Sequence, residues 1–397
     1  MTDTQEIGRG LGTDYFLIRD SLSERELELL DRTRRFVDEE VLPVIVGFWE
    51  RAEFPADLAR RLGEIGLIGD GIEAPGVPEM SPLAAGLVNM ELNRGDGSLG
   101  TFLGVQAGLA MRSIAALGSD AQRERWLGPL ARAEAFGAFA LTEPDHGSDS
   151  VGLETAARRE GDEWVLDGRK RWIGNATVAD VVVVWARDTE DGEVKGFLVE
   201  PESTPGFEAT RIESKGSVRA VWQADIVLDG ARVAESSRLP GAESFADTGK
   251  VLAATRLTCA FSALGHAVGA YEAAFTYATE REQFGKPLVG FQTVQRKLVE
   301  MLAEVTGMQL YCLQLARLND DGKLRDTFGG LAKMNNTTKA RQVIAQAREL
   351  LGGNGILLDN HVIRHMVDIE SIHTFEGTAD IQALIVGRDV TGVSAFT

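Results

Sequence analysis

Glu376 has the most suggestive neighbours in the chain. It sits in His373-Thr374-Phe375-Glu376-Gly377-Thr378, between an aromatic ring and a glycine, just ahead of an apolar-periodic segment. The chemistry open to such a carboxylate is proton transfer, provided water is kept away, because a carboxylate in water is a weak base. Taken alone, the pattern has a simpler explanation: a negative charge near a helix N-terminus is favoured by the dipole. Three more segments carry the same double meaning. Leu141-Thr142-Glu143-Pro144-Asp145-His146-Gly147-Ser148-Asp149 brings hydroxyls and a glycine to the end of an apolar run, as a loop leaving a strand also would. Lys170-Arg171-Trp172-Ile173-Gly174-Asn175 sets a tryptophan between a basic pair and a small-residue turn, where a core tryptophan on a strand is the default expectation. Arg281-Glu282-Gln283-Phe284-Gly285 puts an arginine where it would ordinarily cap helix carbonyls.

Other patterns point away from chemistry. Gly8, Gly10 and Gly12 do not lie between a strand and a helix, so they make no dinucleotide loop. Gly352-Gly353-Asn354-Gly355 reads by itself as a helix C-terminus and turn. His361 and His365 lie four apart, yet no partnered Glu-x-x-His or cysteine pairs accompany them, so no metal site is expected. No serine elbow or activated-cysteine motif is present.

The elements that must position these residues fall into three textures. Up to about residue 135 the sequence reads as helices, opening with the capping box Ser23-Glu24-Arg25-Glu26, with Leu27, Leu30, Phe36 and Val37 at helical spacing until Pro43 disturbs the run. Residues 136–245 hold short β-branched or aromatic runs (Trp164-Val165-Leu166, 179–186, 196–200, 224–228) separated by turn signals such as Glu160-Gly161-Asp162 and Leu166-Asp167-Gly168. With no helices between them, these runs predict an antiparallel barrel or sandwich. Residues 246–397 return to helices: Phe291 to Leu318 alternates by three and four, and a second long helix runs from Asp326 to Leu351. The expected class is therefore a multidomain α+β protein: an N-terminal helical domain, a middle β domain and a C-terminal helical bundle.

Composition fits this class. At 397 residues, 44% hydrophobic and 25% charged, the chain has material for two or three packed domains. A formal net charge of −19 argues against a nucleic-acid partner, and the purely apolar runs are too short to span a bilayer. The polar, acidic start (Met1 to Glu6) shows no export pattern, and Cys259 and Cys312 read as core residues of a reducing compartment, so a cytoplasmic location is expected.

Taken together and in order, these segments resemble the acyl-CoA dehydrogenase family of flavoenzymes, over nearly the whole chain from about Ser21 to Phe396. The likeness rests on Leu-Thr-Glu-Pro-x-x-Gly-Ser-Asp, Lys-x-Trp-Ile, Arg-x-x-Phe-Gly, Leu-Gly-Gly-Asn-Gly and aromatic-Glu-Gly-Thr. Residues 352–355, 361–365 and 375–396 look most similar to the glutaryl-CoA dehydrogenase branch. Residues 48–55 and 170–175 look more like short-chain acyl-CoA oxidases of plant peroxisomes. The resemblance implies a C-terminal four-helix bundle, a homotetramer or homodimer, FAD as cofactor, and electron-transfer flavoprotein or a similar acceptor as partner. It implies that Phe139, Leu141, Thr142, Trp172, Ile173 and Gly174 line the flavin ring, with Gly147 and Ser148 nearby. Arg281, Gln283, Phe284 and Gln292, with the turn Glu349, Leu350, Leu351, Gly352 and Gly353 of a neighbouring subunit, would reach the diphosphate and adenosine. Thr378 and Asp380 would present helix-start amides to the cofactor, and Phe396 would join them. Ser148, the 249–256 segment with Arg256, Phe375 and Gly377 would contact the thioester. Glu376 would take the α-proton while the β-hydride passes to the flavin, giving a trans-2-enoyl-CoA.

Two departures shape the substrate expectation. Gly100 and Asn93 stand where the glutaryl branch carries an arginine and its partner glutamate, so a glutarate carboxylate would be buried without a cation. Leu99, Gly100, Leu103 and Gly104 suggest instead an apolar floor for a short or branched acyl chain. Gly174 replaces a threonine that usually approaches the flavin, which keeps an oxidase passing electrons to oxygen as the alternative. A non-catalytic acyl-CoA-binding relative is the third.

Overall fold

A computed structural model describes residues 12–395. Its first helices begin where the local chemistry says they should. In α1 (Glu24–Phe36), Ser23 accepts from the Glu26 amide and Glu26 returns the bond to the Ser23 amide. The run does not break at Pro43. It widens into a π-helical stretch, Val37–Val41, and continues as α2 (Leu42–Arg51), with Pro43 in the first turn where its missing N–H is not needed. Then follow α3 (Ala56–Glu64), α4 (Pro82–Gly95), α5 (Gly97–Leu103), a second π-helical stretch (Gly104–Met111), α6 (Arg112–Leu117) and α7 (Asp120–Ala131).

The middle part is a seven-stranded sheet: β1 (Gly137–Ala140), β2 (Ala156–Glu160), β3 (Glu163–Gly174), β4 (Val181–Asp188), β5 (Val194–Val199), β6 (Phe207–Arg211) and β7 (Gln223–Ala234). The β2–β3, β3–β7, β4–β5 and β6–β7 pairs are antiparallel, as the sequence predicts. However, β1 and β2 both join β4 in parallel, so the sheet is mixed. The apolar run of β4 explains its place. Val181, Val183 and Trp185 pack into the core shared with the N-terminal helices, whereas Val182, Val184 and Ala186 fill the opposite face. A strand buried on both sides reads as continuous rather than alternating. The turn expected at Leu166-Asp167-Gly168 is instead a bulge inside the twelve-residue β3, with Gly168 at φ 155°.

The C-terminal part contains α8 (Phe245–Glu280), a small hairpin of β8 (Glu282–Gln283) and β9 (Lys286–Pro287), α9 (Gln292–Asp320), α10 (Asp326–Leu350), α11 (Val362–Thr374) and α12 (Ala379–Thr391). Helix α10 packs against α8, α9, α11 and α12. Helix α8 is long and apolar enough to cross a membrane by composition, but 72% of its most apolar window is buried inside the fold. It passes close to α4: a Cβ on Gly265 would lie 2.1 Å from the Met90 carbonyl oxygen, so only glycine permits this crossing. Cys259 and Cys312 are buried and unlinked.

Candidate active site

Glu376 sits in the middle of a sharp turn between α11 and α12. Its φ is 55° and that of Gly377 is 84°, two successive left-handed residues. A non-glycine residue pays strain there, of order 1–3 kcal/mol, which must be overcome by surrounding contacts. Those contacts are present. Gln382 Nε2 donates to the Glu376 carbonyl at 2.8 Å, and Lys333 Nζ donates to the carbonyls of Phe375 and Gly377, each at 2.5 Å. On the side-chain end, Thr255 Oγ1 of α8 donates to Glu376 Oε2 at 2.8 Å. The residue as a whole is partly exposed, but its carboxylate is enclosed. Burial pushes the Glu376 pKa above the ordinary carboxylate value, against the pull of the Thr255 hydrogen bond and the Lys333 and Arg256 charges. Arg256 itself is ion-paired with Asp326.

The middle domain supplies a second surface. The register of β3 against β7 shifts between Lys170 and Ile173, and this bulge turns Trp172 outward at φ 64° with 53% of its surface exposed. The default expectation of a core tryptophan is therefore wrong. Lys170 beside it is fully buried, ion-paired with Glu143 at 2.8 Å, and burial pushes its pKa down to about 8. Glu143 also accepts from the Glu154 and Thr155 amides, so the 141–149 loop is tied to the sheet. Gly147 and Ser148 are exposed on that loop, and a Cβ on Gly147 would meet open space. An exposed indole of this kind is a platform for a flat aromatic ring. Covering about 100 Å² of it would be worth roughly 2–3 kcal/mol.

The π-helical stretch Gly104–Met111 joins the two surfaces. A Cβ on Gly108 would lie 3.6 Å from Thr255 Cγ2, and one on Gly174 would lie 3.0 Å from Val105 Cγ2. Val105 thus fills the space a side chain at 174 would take. One turn earlier, a Cβ on Gly104 would meet nothing within 4 Å, and one on Gly100 would strike the Asn93 amide at 2.2 Å. Asn93 is buried and donates to the Asn89 carbonyl and Oδ1, while its own Oδ1 has no partner. Leu99 and Leu103 pack into the core shared by the N-terminal helices and the sheet, and the neighbour of Gly100 is an amide.

Of the remaining candidate residues, Phe139, Leu141 and Ile173 are buried, with the Phe139 ring 5.8 Å from that of Trp185; Thr142 is half-buried. Phe375 is half-buried, and Thr378 Oγ1 caps α12 by accepting from the Ile381 amide, with Asp380 exposed in the first turn. Arg281, Gln283, Phe284 and Gln292 are exposed around the β8–β9 hairpin, Phe284 at 94%. Glu349 pairs with Lys297 at the end of α10, next to half-buried Leu350, buried Leu351 and the exposed Gly352 and Gly353, Gly352 at φ 58°. A Cβ on Gly353 would meet open space. This group gathers at one end of α9 and α10, apart from the Glu376 cluster within the chain. Phe396 lies outside the described residues. Lys333 and Gln382 carried no sequence signal, because a lysine or glutamine inside a helix does not announce a partner.

Known proteins match along most of the chain. Residues 23–134, 138–231 and 245–391 match the acyl-CoA dehydrogenase N-terminal, middle and C-terminal domain families. The chain is 33% identical to the mitochondrial short-chain specific acyl-CoA dehydrogenase of Bos taurus, over 92% of this chain and 90% of that one. It is 43% identical to a crystal structure of glutaryl-CoA dehydrogenase from Mycobacterium smegmatis (TM-score 0.94), covering 97% of this chain and 100% of that one. A second structure of a Mycobacterium smegmatis glutaryl-CoA dehydrogenase, in complex with FADH2, is 37% identical with the same TM-score and coverage.

Proposed function

Because the chain belongs to the acyl-CoA dehydrogenase family, we propose that it α,β-dehydrogenates a short or branched, uncharged acyl-CoA, with Glu376 removing the α-proton. The observation that carries this is the enclosed Glu376 carboxylate, bonded to Thr255 and joined to the exposed Trp172 platform by the Val105–Gly108 stretch. Bound FAD supplies the hydride acceptor. The chain's own residues do the rest. Trp172 gives the ring a face to lie on, and the start of α12 at Thr378 offers amides to an anionic or hydroxyl group. Burial makes Glu376 a stronger base than a carboxylate in water, and its backbone amide would support developing negative charge on the thioester oxygen. The exposed Arg281–Gln292 and Glu349–Gly353 group suits contact with the cofactor of a second copy, in a homotetramer or homodimer. Electron-transfer flavoprotein is the proposed acceptor.

The uncharged chain is supported by Asn93. Its amide occupies the position a side chain at 100 would need, and an anionic chain end there would lie against an amide oxygen already lacking a donor. A panel of butyryl-, isobutyryl- and glutaryl-CoA, each with an artificial acceptor and with oxygen, tests this. The expected order puts butyryl- or isobutyryl-CoA at least ~10-fold ahead of glutaryl-CoA in kcat/KM. Preference for glutaryl-CoA refutes it. The oxidase reading is favoured by Gly174, which offers no hydroxyl to the flavin, and rapid peroxide formation in the oxygen arm would select it.

A further inference from the structure

Lys333 lies on α10, 1% exposed, and Gln382 lies on α12, fully buried. Between them they bind the three consecutive carbonyls of the turn that carries the base. Lys333 Nζ takes those of Phe375 and Gly377, and Gln382 Nε2 takes that of Glu376. We propose that Lys333, with Gln382, is a positioning residue that locks the 375–377 turn in its left-handed form, aiming the Glu376 carboxylate and amide at the acyl group.

Three observations carry this. A buried ammonium is costly, and here its hydrogen bonds go to backbone carbonyls of one strained turn rather than to a carboxylate. The turn and α10 are fitted around Gln382: a Cβ on Gly377 would lie 2.5 Å from its Nε2, and one on Gly330 of α10 would lie 2.6 Å from its Oε1. Glu376 itself stands at φ 55°, a conformation an L side chain keeps only where its surroundings insist on it. An unclamped turn would relax toward ordinary φ and swing the carboxylate away from Thr255. The Lys333 charge has a second effect, drawing the Glu376 pKa back down against burial.

The inference rests on Glu376 being the base. It is tested with Lys333→Met and Gln382→Leu in the full FAD-loaded chain, using the best substrate of the panel above. Flavin content, KM, kcat across pH, and anaerobic exchange of the substrate α-hydrogens in deuterated water are measured. Both variants are expected to keep flavin and to hold KM within about 3-fold, while kcat and α-exchange fall about 100-fold, as a misplacement near 1 Å does. Lys333→Met alone should also move the acid limb of kcat to higher pH, because only it removes a positive charge. Gln382→Leu carries the test if Lys333→Met does not fold. Flavin-replete variants with near-normal kcat and exchange overturn the proposal, as does a loss that merely follows flavin content. A wild-type chain whose flavin no acyl-CoA reduces would sink the dehydrogenase reading instead.

Discussion

Glu376→Gln is expected to keep its FAD and its fold and to lose roughly 100- to 10,000-fold in kcat, the range associated with removing a general base. Glutamine has the same shape. Its amide oxygen can still accept from Thr255 Oγ1, and the clamp on the backbone does not involve the side chain at all. What it lacks is a lone pair basic enough to take an α-proton. Anaerobic bleaching of the flavin by butyryl-CoA reads the effect directly, and substantial residual bleaching would rule Glu376 out. The wild-type pH profile adds a second reading. Burial raises the Glu376 pKa, so the proton leaves the carboxyl only at higher pH than from an ordinary carboxylate. The base form therefore accumulates as pH rises through that raised value. The acid limb of kcat should lie above the ordinary carboxylate range, and a limb near the usual 4.5 would contradict the enclosure.

What the sequence made legible was what local chemistry decides. The Ser23 capping box, the long periodicities of α9 and α10 and the turn at Glu160-Gly161-Asp162 each depend on residues within a few positions of one another. Non-local pairing was less visible. The parallel seating of β1 and β2 on β4 leaves no trace in any one strand, and a strand buried on both faces hides its alternation. At Leu166-Asp167-Gly168, turn residues serve as a bulge because β7 continues to pair on both sides. Glu376, the proposed base, and the exposed Trp172 were marked by motif. The side chains that hold Glu376 in place were not, since Lys333 lies 42 residues before the first carbonyl it binds. The resemblance set Asn93 beside Gly100, but that its amide takes the very space a side chain at 100 would need emerges only when α4 and α5 are folded together.

Arg364→Met should cost about 3–5 kcal/mol of stability, the penalty for stranding a buried charge. Arg364 of α11 is 1% exposed; its guanidinium meets Asp96 Oδ2 at 2.6 Å and the Gly95 carbonyl at 3.2 Å, and Asp96 is wholly buried. Asp96 also caps α5 by accepting from the Ser98 and Leu99 amides, so the pair ties the N-terminal helices to the C-terminal ones. Asp368, one turn along α11, is pushed up to about 7 by burial and by the Asp96 charge. Removing Arg364 would leave the buried Asp96 carboxylate without its ion-pair partner, beside a second buried carboxyl at 368. The double variant Asp96→Asn with Arg364→Met should recover part of the loss, because no full charge then remains unpaired at 96. Thermal midpoints followed by flavin release measure this, and a single variant as stable as the wild type would show that the pair is not holding the two regions together. The same measurement bears on function. The helix that Asp96 caps carries Gly100 and leads into Gly104, so Arg364→Met should also raise KM for acyl-CoA well below its melting point, while Asp96→Asn with Arg364→Met should raise it less.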